Sequence, residues 1–292
     1  MADETPRTLL RRPPPGSCDA HAHIVGPRDR FPLAPDAPYT PPEATAEAYL
    51  AMLDRLGVSY GVAVQPAPYG LDNSALVDAT ARSGGRLKGI AWASAAASDA
   101  ELAALRRDGV CGLRFSAFPR TTTAHVSGVG LDALFALAPR MREHGLHAQL
   151  WTPIAHLVER LPDLLGLGIP LVLDHMGRIE PEAGADAADF QELLAAARGE
   201  DIWIKLIPHR VSARHPGYED VRPFHAALVE TCPHRLLWGT DWPFVRMGDR
   251  APTPERLLGL FLDWTADEAV VQRILVKNPA ALYGFGDAIG AG

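Results

Sequence analysis

The sequence predicts an α/β fold, a TIM-type (β/α)8 barrel. Three observations point to it. Eight short apolar runs are spread along the chain, amphipathic helical patterns fill the gaps between them, and the length of 292 residues suits one barrel of about 250 residues with insertions. The runs are near-continuous rather than alternating, as expected of strands buried on both faces of a parallel sheet.

Taken in order, residues 1–15 are polar, end in Pro13-Pro14-Pro15 and read as a tail, and residues 16–292 read as one barrel domain. Strands are expected at 17–25, 60–65, 87–93, 110–116, 146–151, 170–175, 202–207 and 236–241. A proline-rich stretch at 26–42 is too long for a routine connection and is expected to lie over the barrel mouth. The 43–56 stretch carries Tyr49, Leu50, Leu53 and Leu56 at helical spacing. Asp72-Asn73-Ser74 is expected to cap the next helix. Ser98 to Glu101 has capping-box spacing ahead of Leu102 and Leu105, and Thr265 to Glu268 repeats that spacing. Thr253-Pro254 sets a capping residue before a proline at the first helical position. Gly57, Gly109, Gly145 and Gly168 each stand where a helix must stop before a strand. No GxGxxG follows the first strand, which withholds support from a dinucleotide-binding sheet, and there is no internal repeat.

The formal charge of −7 comes with no basic run beyond Arg11-Arg12 and Arg106-Arg107, so no nucleic-acid partner is expected. No apolar stretch approaches the ~20 residues of a membrane span. Cys18, Cys111 and Cys232 are widely spaced with no CxxC, which argues against thiolate zinc and a disulfide framework. The N-terminus lacks a signal-peptide core, and a reducing cytoplasm is the expected compartment. The oligomeric state is open.

The chemistry starts at Cys18-Asp19-Ala20-His21-Ala22-His23. Side chains alternate along a strand, so His21 and His23 point the same way, towards the mouth at the strand's exit. Asp174-His175-Met176-Gly177 ends the sixth expected strand and Gly239-Thr240-Asp241-Trp242-Pro243 the eighth. Polar residues at C-terminal strand ends of such barrels read as catalytic. His21, His23, His175 and Asp241 therefore form the expected site. They are able to bind one divalent cation, Zn²⁺ or Mn²⁺, or to act without metal. Arg114, Arg120 and Arg178 lie at or just after strand ends, where a guanidinium fork matches a carboxylate. Each alternatively pairs with a structural carboxylate such as Asp19 or Asp174.

The HAH pair, Asp174-His175-Met176-Gly177-Arg178, Gly239-Thr240-Asp241-Trp242-Pro243 and the closing Asn278 to Phe285 together resemble the amidohydrolase-related branch of the amidohydrolase superfamily. The resemblance covers nearly the whole chain after the tail. Binuclear members of that superfamily carry a lysine on strand four and a histidine on strand five. Here these strands carry Arg114 and end at Trp151, so at most one metal is implied. Within the branch the chain is similar to 2-pyrone-4,6-dicarboxylate lactonase-like hydrolases. That resemblance implies hydrolysis of a carboxylated lactone, with Tyr39, Arg114, Arg120 and Arg178 matching substrate-binding positions. Trp151 replaces a tyrosine and Phe244 a polar residue of the pattern, which puts the ring's identity in question.

The resulting expectation has Asp241 as general base on a water, the three histidines stabilising the oxyanion, and arginines holding the acid groups. The rival readings are a one-metal decarboxylase of an unsaturated or aromatic acid, a lactone isomerase, and a barrel that only binds a dicarboxylate or sugar acid. His209, just past strand seven, is a further pocket candidate, with Arg210 and Arg214 in the same loop. Gln65 and Tyr69 are candidates for the rim and Trp242 for the wall. His147 is expected at the barrel floor. His144, His156, His225 and His234 are expected in surface or packing roles, and His125 falls in a loop.

Overall fold

The computed structural model describes residues 11–116 and 128–286. Arg120 and His125 lie outside the described residues. Among the described residues, eight parallel strands pair in chain order, β1(Cys18–Ala22), β2(Tyr60–Val64), β3(Leu87–Ala91), β4(Val110–Ser116), β5(His147–Trp151), β6(Leu171–Leu173), β7(Ile202–Leu206) and β8(Leu236–Trp238). Helices α1(Ala46–Leu56), α2(Ser74–Arg82), α3(Asp99–Arg107), α4(Leu131–Glu143), α5(Ile154–Leu165), α6(Ala188–Gly199), α7(Arg222–Thr231) and α8(Pro254–Trp264) follow one strand each. The short α9(Glu268–Gln272) and α10(Asn278–Tyr283) end the fold. This is the expected TIM-type (β/α)8 barrel. None of its helices is long and apolar enough to cross a membrane, among the described residues.

Two apolar layers hold it. Between strands and helices lies a large cluster that includes Leu53, Leu113, Leu134, Leu150, Leu193, Ile204, Phe224 and Leu258. Inside the barrel is a smaller cluster of Cys18, Ala20, Val62, Val64, Ile90, Val172, Trp203 and Leu237, plugged from below by Tyr283 and Phe285. That split explains the continuous apolar runs, because alternate residues of one strand supply the two layers.

The helix signals act mostly as expected. Ser98 and Glu101 make a complete capping box on α3, Thr253 caps α8, and Gly57 ends α1 with left-handed backbone. The second expected box does not form. The Thr265 hydroxyl is engaged by His225 Nε2 at 2.8 Å, and Asp267 instead caps α9. The described end of the tail is docked, since Arg11 donates to the Leu262 carbonyl at 2.7 Å and pairs with Glu268.

The long first loop is closed at its base by an antiparallel bridge between Val25 and Ala44. Phe31 and Leu33 pack under it with Tyr69. The Tyr69 hydroxyl accepts from Gly26 N at 2.7 Å, and Gln65 Nε2 donates to the carbonyls of Gly70 and Asp72 at 3.1 and 2.7 Å. Both residues therefore anchor loops rather than line the pocket. Trp242 stacks on Tyr49 of α1 with centroids 5.5 Å apart, so its ring faces the helix layer.

His147 sits at the barrel floor as expected, its ring 5.6 Å from that of Tyr283. Burial pushes His147 down to about 3 and His225 down to about 4 from 6.5. The folded state thus refuses protons that the unfolded chain accepts once pH falls below about 6.5. Stability is complete above that pH and is lost as pH falls towards 4, by on the order of 1–2 kcal/mol per histidine between pH 7 and 5. Urea midpoints at the two pH values should show the drop, and His225→Gln should lessen it.

Candidate active site

Three strand ends and the turns behind them build the site. Strand β1 is fastened to the β8 end by backbone bonds from Asp241 N to His21 O at 2.8 Å and from His23 N to Trp242 O at 2.7 Å. Asp19 braces the same seam, because its carboxylate accepts from Thr240 N at 2.8 Å, Thr240 Oγ1 at 2.6 Å and His21 N at 3.1 Å. Burial lifts the Asp19 carboxyl to about 6 against those bonds. A Cβ on Gly239 would sit 3.0 Å from His21 N and Cβ, so this glycine allows the two strands to approach. The Gly239-Thr240-Asp241 sequence thus supplies close approach, brace and functional carboxylate in three steps.

His21 lies within β1, whereas His23, His175 and Asp241 stand just past the ends of their strands. Six of the seven non-glycine residues with left-handed backbone among the described residues are His175, Met176, Arg178, Asp241, Phe244 and Arg246. Such conformations cost roughly 1–3 kcal/mol each and persist where surrounding structure over-determines them. They turn His175 and Asp241 towards the axis beside His21.

Asp241 is the hub. Its Oδ1 lies 3.3 Å from His21 Nε2 and 3.4 Å from His23 Nε2, while its Oδ2 accepts from Arg210 Nε. Burial raises the Asp241 carboxyl, but the Arg210 guanidinium outweighs it and holds the group well below its usual range. Asp241 is therefore a carboxylate with one oxygen neutralised and the other turned into the site. His23 Nδ1 lies 2.8 Å from the Val64 carbonyl, which only accepts, so that nitrogen carries the hydrogen. Burial keeps His21 near 3, with Lys205 adding to the effect, and keeps His175 far below 6.5. Both rings are neutral at pH 7. The His21 and His175 centroids are 5.1 Å apart.

A second buried group stands behind the first. Asp174 Oδ2 receives Arg114 Nε and Nη2, both at 3.0 Å, and its Oδ1 faces His21 Nδ1 at 3.2 Å and Lys205 Nζ at 3.5 Å. Burial raises the Asp174 carboxyl, and Arg114, with Lys205 adding to it, more than reverses the rise. Lys205, also buried, donates to Gln149 Oε1 at 2.6 Å and is held to about 8 by burial. Arg114, expected to hold a substrate carboxylate or a structural one, thus has a structural one.

The mouth carries the other expected residues. The guanidiniums of Arg114 and Arg178 each lie 5.6 Å from the Trp151 ring centroid. Tyr39 is half-buried, with Arg246 5.6 Å from its ring centroid and Arg114, Asp241 and Arg210 within electrostatic reach. His209 Nε2 is 4.0 Å from Asp241 Oδ2, and Phe244 packs edge-on against its ring at 5.8 Å.

The donor set fits one divalent cation. One ligand atom each from His21, His175 and Asp241 lie within 4.8 Å of one another. His21 Nε2, Asp241 Oδ1 and His175 Nδ1 are buried with no hydrogen-bond partner among the described residues. His23, expected in the same set, falls outside this cluster. The charges of Lys205 and Arg210 oppose a cation from the far side of His21 and Asp241.

Sequence reasoning missed Lys205 and Gln149 and gave Arg210 too little weight. A lysine inside the apolar run Ile202-Trp203-Ile204-Lys205-Leu206 was the available signal. Trp203 points into the barrel, and Lys205, two residues on, shares its face.

Comparison with known proteins agrees with this architecture. The amidohydrolase family pattern matches residues 18–285. The chain belongs to that family. It is 40% identical over 280 residues to a 4-sulfomuconolactone hydrolase of Rhizobium radiobacter, covering 93% of this chain and 91% of that protein. It is 36% identical to a 2-pyrone-4,6-dicarboxylate hydrolase of Comamonas testosteroni, covering 92% and 90%. Among solved structures, a probable 2-pyrone-4,6-dicarboxylic acid hydrolase of Acinetobacter baumannii with citric acid bound superposes with a TM-score of 0.80. It shares 27% identity and covers 92% of this chain and 100% of that one. In this chain β4 and β5 carry Arg114 and Trp151, and the Arg114 charge is spent on Asp174.

Proposed function

We propose that this amidohydrolase opens a carboxylated lactone by adding water to its ring carbonyl. The observation that carries the reading is Asp241 Oδ1, an ionised oxygen facing His21 and His23 inside an arginine-lined mouth. The named activities of the relatives, which are lactone hydrolases, support it.

The water is held between Asp241 Oδ1 and His23 Nε2, two acceptors 3.4 Å apart. The Val64 bond leaves that His23 nitrogen bare in the neutral ring, so His23 serves the water rather than the carbonyl. Asp241 takes a proton from the water as its oxygen bonds to the ring carbonyl carbon. The neutral imidazoles of His21 and His175 donate to the oxyanion that forms. When the carbon–oxygen bond of the ring breaks, the proton on Asp241 passes to the leaving oxygen, and the product carries one more acid group. A divalent cation, held by His21, His175 and Asp241, would supply Lewis-acid polarisation of the same carbonyl. Trp151 stands in the mouth beside Arg114 and Arg178, and Arg178 and Arg246 bring guanidiniums suited to the acid groups of the ring.

The test is a panel of 2-pyrone-4,6-dicarboxylate, 4-sulfomuconolactone, muconolactone and an acid-free lactone, followed by acid release. Ring opening is expected for acid-bearing members only, with kcat/KM for the acid-free lactone lower by at least about 100-fold. Release of CO₂ would favour the decarboxylase instead. A product of unchanged mass would favour the isomerase, and binding without turnover a barrel that only binds.

A further inference from the structure

His21 has two nitrogens with opposite surroundings. Its Nε2 faces Asp241 Oδ1 at 3.3 Å, within the cluster whose atoms fit a cation. Its Nδ1 lies between Lys205 Nζ at 3.3 Å and Asp174 Oδ1 at 3.2 Å. A neutral imidazole has one hydrogen, so the partner chosen by Nδ1 decides what Nε2 presents. If Nδ1 accepts from Lys205, Nε2 carries the hydrogen and is a donor. If Nδ1 donates to Asp174, Nε2 is bare and able to bind a metal.

The hydrogen count favours the first arrangement. Lys205 is fully buried, and an ammonium has three hydrogens. Three acceptors surround it, Gln149 Oε1 at 2.6 Å, His21 Nδ1 at 3.3 Å and Asp174 Oδ1 at 3.5 Å. With His21 accepting, every ammonium hydrogen has a partner. With His21 donating to Asp174, one ammonium hydrogen is left buried against another N–H, at the desolvation cost of an unmade bond. Asp174 keeps two bonds from Arg114 on its Oδ2, and in this arrangement its Oδ1 is left to the Lys205 ammonium at 3.5 Å.

We propose that Lys205 is a positioning residue that holds His21 with its hydrogen on Nε2 and thereby keeps the His21–His175–Asp241 cluster from taking up divalent cations. The lysine acts twice, through the tautomer and through a positive charge one ring away from where a cation would sit. Its removal leaves Asp174 as the partner of Nδ1. Nε2 then joins His175 and Asp241 as a ligand.

The test uses the full chain after chelator treatment. Histidine-labelled ¹⁵N spectra of the wild type, with His21 assigned by its loss in His21→Gln, should show the His21 hydrogen on Nε2. Cobalt(II) and zinc titrations then compare the wild type with Lys205→Met and Lys205→Gln, each checked by thermal melting. Both variants are expected to bind one ion per chain about 10- to 100-fold more tightly than wild type. The cobalt form should give visible bands that disappear when His175→Ala is added. A wild-type His21 with its hydrogen on Nδ1 would overturn the proposal. So would folded Lys205 variants that bind the ions no better than wild type. Should neither variant fold, the wild-type tautomer alone decides the matter.

Discussion

Asp241→Asn is expected to lower kcat by about 10²- to 10⁴-fold, the usual contribution of a positioned general base. Asparagine is the right probe for three physical reasons. The backbone at 241 is left-handed, with φ of 56°, a region that asparagine tolerates as well as aspartate. The Arg210 guanidinium, which donates to Asp241 Oδ2 and to the Val245 carbonyl at 3.0 Å, still finds an amide oxygen in place of Oδ2. The amide nitrogen then takes the place of Oδ1, facing His21 and His23, and an amide does not accept a proton from water. Shape is kept and basicity is lost. KM should change little, because Asp241 is not assigned to hold the acid groups. Steady-state kinetics on the best lactone of the panel, with a melting curve beside them, separate this from unfolding. Activity equal to wild type would remove Asp241 from the reaction.

The sequence showed the frame of this site more clearly than its interior. All eight strands are where the apolar runs placed them, and His21, His175 and Asp241 converge because strand order alone brings their C-terminal ends together. The apolar runs extend past the strands themselves, most at β1, β6 and β8. Residues 174–178 and 239–246 leave the sheet for left-handed turns, and hydrophobic periodicity carries no information about the sign of φ. Lys205 was hidden for a related reason, since in a run read as apolar on both faces a single polar residue does not announce which face it occupies. Thr265 and Ser98 have the same local spelling, yet only Ser98 caps a helix. The difference is His225, 40 residues away, which takes the Thr265 hydroxyl. Local patterns were reliable wherever no distant residue competed for the same atom.

Arg114→Met should show how such a distant pairing divides stability from substrate binding. Arg114 is 8% exposed, and both its contacts at 3.0 Å go to Asp174 Oδ2. Removing it leaves a buried carboxylate short of its main cation, and breaking a buried pair from one side costs about 3–5 kcal/mol. The expected result is a large fall in the urea midpoint, with kcat reduced because Asp174 and Lys205 support the far side of His21. Adding Asp174→Asn should recover part of the stability, since an amide does not need the guanidinium, and the coupling in that double-mutant cycle measures the pair. A substrate anchor would behave differently. Were Arg114 chiefly a holder of the lactone's acid group, KM would rise while the urea midpoint stayed at its wild-type value, and Asp174→Asn would restore nothing. The geometry favours the first outcome because the guanidinium already spends two donors on Asp174.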